Sequence, residues 1–208
     1  AVSGVVLRGA AHVEAGALSV SRSDILGGAA TVDAGAELVF EGEPTSIGSD
    51  VTLAGEGLVR FDDVRIDDDP ASDGNLLVLD LDSIWNGATW QGVSDTVLGD
   101  PGITEPSLSV RNRRSARVEA GTTTTLETVT FLNGESPGIS LDREPAAGTF
   151  SVPVGATLAL SGQTEFTNTV DSSVVVDGDI VVRDGTAPTD VRIFNRGIMA
   201  LRGSLLVE

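Results

Sequence analysis

The groups that could do chemistry in this chain are almost all carboxylates and guanidiniums. Its 208 residues hold 31 acidic and 13 basic residues, a single histidine and no cysteine or tyrosine. Lysine is absent too, so every basic residue is an arginine. Asp80 and Asp82 sit two apart on one face of the run L-L-V-L-D-L-D, and both tryptophans, Trp85 and Trp90, follow at once. A glycosidase needs two carboxyl groups roughly 5 to 9 Å apart across a sugar cleft. These four residues are therefore the candidate carbohydrate contact. No catalytic residue is assigned, because no G-x-S-x-G motif occurs and His12 is the lone histidine for any Ser-His-Asp set. A lyase would have to draft Arg114 or Arg117 as its proton abstractor.

Two acidic groups have the hard oxygen ligands that Ca²⁺ takes. One is Asp62, Asp63, Asp67, Asp68, Asp69 and Asp73, in a segment that also holds Pro70 and Gly74; the other is Asp177 with Asp179. Neither has EF-hand spacing, and the nonapeptide of calcium-binding β-rolls is missing. Calcium is the one cofactor the composition suggests, since zinc and iron lack their usual ligands. Arg111, Arg113, Arg114 and Arg117 form the only basic cluster, read as the ion-pair partner of the Asp-rich region or as an anion contact. A net charge of −18 opposes binding to nucleic acid and to anionic membranes, and suits solubility, weak cation binding or a salty medium. No run approaches the ~18 apolar residues of a membrane span.

The elements that must position these groups are short strands. The phrase V-E-A-G-A-L-S-V at 13–20 returns as V-D-A-G-A-E-L-V-F at 32–40, and a third version spans 51–61 with an insertion near Gly55-Glu56-Gly57. Period-2 alternation puts Val13, Leu18, Val20, Val32, Leu38 and Phe40 inward, and Glu14, Ser19, Asp33, Glu37 and Val39 outward, with Ala15-Gly16 at a bend. Between the copies lies one central isoleucine each, Ile25 and Ile47. Three apolar anchors per period of roughly 19 residues suit a three-sided coil that buries its inner face only against its neighbours. The phrase restarts at Val118 and Val152. Phenylalanine then precedes asparagine at Phe131 to Asn133, Phe166 to Asn168 and Phe194-Asn195, which predicts stacked asparagines at a bend and all three phenylalanines in the core.

Longer loops are expected near 62–74, 95–106 and 134–150, inserted into a single domain. The last third, with Asp177-Gly178-Asp179 and Asp184-Gly185, also fits the hairpins of a β-sandwich. The start Ala1-Val2-Ser3 and the uncapped strand 205–207 suggest a fragment of a longer repetitive protein.

The phrase V-x-A-G-A-x-L-x-V/L (Val13, Val32, Val118, Val152), F-x-N (Phe131, Phe166) and the closing F-N-x-G-x-x-x-L-x-G-S-L-x-V at 194–207 resemble the right-handed parallel β-helix of bacterial secreted adhesins. The match is to autotransporter passenger domains and filamentous-haemagglutinin-like repeats. The resemblance implies an all-β solenoid of about eight to ten coils, secreted or on the cell surface, acting as a structural or adhesive module. Its partners would be a cell-surface or matrix component such as polysaccharide, and further repeats of the same protein. Other β-helices are polysaccharide lyases, hydrolases or phage tailspikes, so a polysaccharide-binding or polysaccharide-degrading role is the alternative; a shared fold does not choose between them.

Overall fold

The computed structural model describes residues 2–3, 6–21, 24–42, 44–68, 75–92, 94–96, 104–135, 146–184 and 190–208. Among the described residues every regular element is a β-strand. Alternating apolar and polar residues, rich in Val, Leu and Thr, favour strands over helices wherever one face is covered. Asn75–Asn86 is the clearest case: Leu77, Leu79, Leu81, Ser83 and Trp85 are buried while every second residue faces outward.

The strands pair in parallel along three lines. Leu18, Leu38, Val59, Ser83, Ala116, Phe150, Val174 and Met199 stand opposite one another in turn on the first. The second carries Val51, Leu77, Val110, Phe131, Phe166 and Ile193. On the third are Thr45, Ile66, Trp90, Leu126, Leu160, Val182 and Val207. The hairpins that a β-sandwich would need at Asp177-Gly178-Asp179 are absent: Ser173–Val176 and Asp179–Val182 each pair in parallel with other strands. One antiparallel pair occurs among the described residues, Ser94–Thr96 with Thr104–Pro106.

The inward side chains of the three lines merge into one apolar cluster running from Val13 to Ile180. Every aromatic residue but Phe194 joins it. Phe40 stacks on Phe61, Phe61 meets Trp90 at a centroid distance of 4.6 Å, and Trp90 meets Trp85 at 5.0 Å. Trp85 then contacts Phe131 and Phe150, which both reach Phe166. Contacts of this kind add about 0.5–1.5 kcal/mol each beyond area burial.

The phrase V-x-A-G marks a corner. Gly16, Gly35, Gly121 and Gly155 all have φ between 74° and 82°, and in three copies the next residue donates its N–H three residues back, as Ala36 does to Asp33. A turn with positive φ at its third residue takes glycine at no steric cost. The copies do not all mark the same corner: Val13 and Val32 pair on the second line, whereas Val118 pairs with Trp85 on the first.

Four expectations are corrected. The third copy is displaced, because Val32 lies opposite Gly55 and Phe40 opposite Phe61; the corner is gone and Val51–Asp62 runs on as one bulged strand. Gly55 permits this with a φ of 130°, and a Cβ there would lie 2.1 Å from the Val32 carbonyl oxygen. Val39 points outward as expected and stays out of the apolar cluster, yet it is only 8% exposed. Asp62 to Asp68 is no loop: Asp62 ends one strand and Arg65–Asp68 is the next. Phe194 lies outside the core because Asn168 pairs with Asn195, which sets Ile193 against Phe166; one residue from asparagine instead of two reverses the face.

Candidate functional site

Outward side chains on the second line form an open polar groove. Ser109, Thr130, Glu165 and Arg192 stand in register on four adjacent strands, each a hydrogen-bonded neighbour of the next. They floor a groove of about 390 Å³, walled by Gln163, Thr164 and Asp190 on one side and by Pro106 of the antiparallel hairpin. Thr164 is occupied by the backbone, donating to the carbonyls of Leu126 and Ser161. Arg192 forks onto Asp190, and this hydrogen bond, with the charge of Asp190, raises its pKa above the ordinary arginine value. Glu165 accepts a hydrogen bond from Thr167 at 3.1 Å. Phe194 lies two residues beyond Arg192 on the same outward face and is 44% exposed.

The expected carbohydrate set does not assemble there or elsewhere. Trp85 and Trp90 are 0% exposed and lie in the aromatic column, so neither can serve as a sugar platform nor plug a surface loop. Both fall on buried positions of their strands. Asp80 and Asp82 do share the outward face, but Asp80 is held by Arg113 at 3.2 Å and Asp82 is exposed.

Several of the aspartates weighed for calcium have protein partners. Asn86 donates to Asp62, Arg65 pairs with Asp67 at 2.8 Å, and Asp63 occupies a turn with a φ of 45°. Asp68 stands opposite Ile47 at an inward position, 5% exposed, where Asn75 donates both to it and to the Ile47 carbonyl. Asp177 receives Arg202 and Asp179 receives Ser204, each from the neighbouring strand turn. Asp69 and Asp73 lie outside the described residues, and among the described residues no group of three His, Cys, Asp or Glu could hold a metal ion.

Two arginines of the cluster pair, and among the described residues no ion pair joins them to Asp62–Asp68. Arg113 bridges Asp80 and Glu135, and Arg111 lies 3.8 Å from Glu135. Arg114 and Arg117 are exposed. A second bridge escaped sequence reasoning: Arg60 donates to Glu37 at 3.0 Å and to Glu119 at 2.9 Å, spanning several strands, and the Glu37 bond chiefly raises its pKa. Nothing local in the sequence links positions 37, 60 and 119.

The asparagines do stack. Asn112 donates to Asn133 at 2.8 Å, Asn133 to Asn168 at 2.9 Å and Asn168 to Asn195 at 2.8 Å. The same amide groups also donate to the carbonyls of Thr149, Ser173 and Ile198, so each rung ties the bend of the chain beside it. Asn112 was missed because the residue two before it is Val110 instead of phenylalanine. Comparison with protein-family models, with curated proteins and with solved structures returns no match, and no family is assigned.

Proposed function

We propose that the chain winds as a right-handed parallel β-helix of eight to ten coils and works as a structural or adhesive module of a secreted or cell-surface bacterial protein. The observation that carries this reading is the register. Leu18 to Leu38 and Val174 to Met199 each pair residues 20 to 25 positions apart in parallel, and the strands of the other two lines fall within each interval. A parallel pair requires such a crossover, and crossovers are overwhelmingly right-handed. At ~4.8 Å per strand the rod would be roughly 40 to 50 Å long. Polar side chains in register along its length would offer a repeated surface to a matrix component.

Single-molecule pulling between the two ends tests the mechanical part: a solenoid should lengthen in increments of one coil, and one all-or-none rupture would defeat the reading. Beads coated with the chain should adhere to polysaccharide-coated surfaces, and failure on every matrix tried counts against the adhesive role. The groove favours polysaccharide binding as a second reading. Trp85 and Trp90, being interior, are removed as sugar platforms for either polysaccharide role.

A further inference from the structure

We propose that Asn86 is a site of spontaneous deamidation, and that the carboxylate it gains loosens the corner where the chain passes from the first line to the third. Asparagine is thermolabile, above all before glycine, which places no side chain in the way of ring closure. The chain has two such pairs, Asn86-Gly87 and Asn133-Gly134. The glycine nitrogen attacks the asparagine Cγ; an N–C bond forms, and the side-chain nitrogen leaves as ammonia, taking the glycine N–H proton with it. Water then opens the succinimide at either carbonyl, giving aspartate or isoaspartate. The folded chain treats the two pairs differently. Asn133 is fully buried, its amide donates to Asn168, Gly148 and Ser173, and the attacking nitrogen of Gly134 donates to the Asn112 carbonyl at 2.7 Å. Neither group can turn toward the other without breaking the ladder. Asn86 and Gly87 are half-buried at a corner, where the Asn86 amide donates to Asp62 and the Gly87 N–H has no acceptor among the described residues. Ring closure there breaks one side-chain hydrogen bond.

The surroundings make the product costly. Asn86 stands opposite Asp62, and Glu119 follows Val118, the partner of Trp85, on the strand beyond. A Cβ on Gly87 would lie 3.7 Å from an Asp63 carboxylate oxygen, so that carboxylate faces the corner too. Aspartate only accepts hydrogen bonds, and deamidation therefore turns the Asn86–Asp62 bond into two carboxylates directly opposite each other on neighbouring strands, a destabilising arrangement. Arg60 already bridges Glu37 and Glu119. The isoaspartate product adds a backbone atom just where the Asn86 carbonyl accepts the Asp63 N–H at 2.7 Å. Strands pair with Asn75–Asn86 on both sides, so the corner is interior to the stack. The same carboxylates oppose removal of the Gly87 proton, which sets the folded rate below that of the unfolded chain.

The test ages the whole chain at mildly alkaline pH and body temperature, folded and in urea. Trypsin then separates the two sites, because arginines bound the peptides 66–111 and 118–143, and mass spectrometry follows the gain of one dalton at each asparagine. In urea both sites should convert at similar rates; in the folded chain Asn86 should convert at least tenfold faster than Asn133. Asn86→Asp should melt a few degrees below the parent, with the gap narrowing in high salt as the repulsion is screened. If that variant fails to fold, the aged fraction, separated by ion exchange, is melted beside the fresh chain with the same expected shift. Asn86→Gln, whose longer side chain closes a ring far more slowly, should keep its amide. Equal rates at the two sites in the folded chain, faster conversion of Asn133, an intact Asn86 after weeks, or a carboxylate at position 86 that melts with the parent overturns the proposal.

Discussion

Asn133 shows how much a single polar residue can matter inside an apolar stack. Its amide donates to Asn168, Gly148 and Ser173 while its oxygen accepts from Asn112, and it is fully buried. Asn133→Leu leaves several buried groups unsatisfied at about 1–3 kcal/mol each. Urea unfolding should show a midpoint lowered by roughly 2–4 kcal/mol in stability with little change in slope; an unchanged midpoint refutes the ladder. Trp85 is a different kind of core residue, because its indole N–H has no partner. Trp85→Ala should cost about 3–5 kcal/mol, whereas Trp85→Phe removes the orphan donor and should cost much less, an ordering calorimetry can check. At the surface, Asp33 raises the pKa of His12 through a hydrogen bond of 2.9 Å and its charge. A folded pKa above the unfolded value of 6.5 stabilises below that value, and the contribution fades as pH rises through the folded pKa. NMR titration of the imidazole should give a value above 6.5 that falls back in Asp33→Asn. The sequence made Asn133 and Asn168 legible, since F-x-N at a bend has a local cause. It hid the tryptophans' location because a Trp followed by turn residues reads equally as core or rim.

Elements were more legible than sites. Period-2 alternation located the strands, and V-x-A-G located corners with αL glycine, because both signals are set by neighbours in sequence. Which line a strand joins is set by partners 18 or more residues away, and so the copy read at Val51 stands four residues out of register, Val32 lying opposite Gly55. Gly55 is what makes that strand possible. Gly55→Ala would need both a φ of 130° and a Cβ against the Val32 carbonyl. Its expected cost is roughly 2–4 kcal/mol, with amide exchange accelerating first in Val51–Asp62 and its partner Asn75–Asn86. Uniform acceleration across all strands would show that the bulge is not the locus. The hairpin Ser94–Thr96/Thr104–Pro106 illustrates the opposite limit: the stretch reads as a linker from its Gly and Pro content, yet its ends pair, and Pro106 lines the groove.

Over the whole molecule, charge and stacking pull in different directions. An excess of 18 negative charges repels itself, while exposed ion pairs such as Arg183 with Glu208 return only about 0–1 kcal/mol each. Moving from 0.1 to 1 M salt shortens the screening length from about 10 to about 3 Å. Relief of repulsion should win, and the melting temperature should rise with NaCl; a steady fall would mean that the ion pairs dominate.

The asparagine ladder has a directional consequence at this scale. Asn112, Asn133 and Asn168 each donate to the next asparagine toward the C-terminal end, so the amide dipoles add along the stack. Reversing one amide would set two acceptors face to face on one side and two donors on the other. The rungs therefore flip together or not at all, and each bond polarises the next. The ladder acts as a vector through the core, and an asparagine on an added strand can extend it only in the same sense.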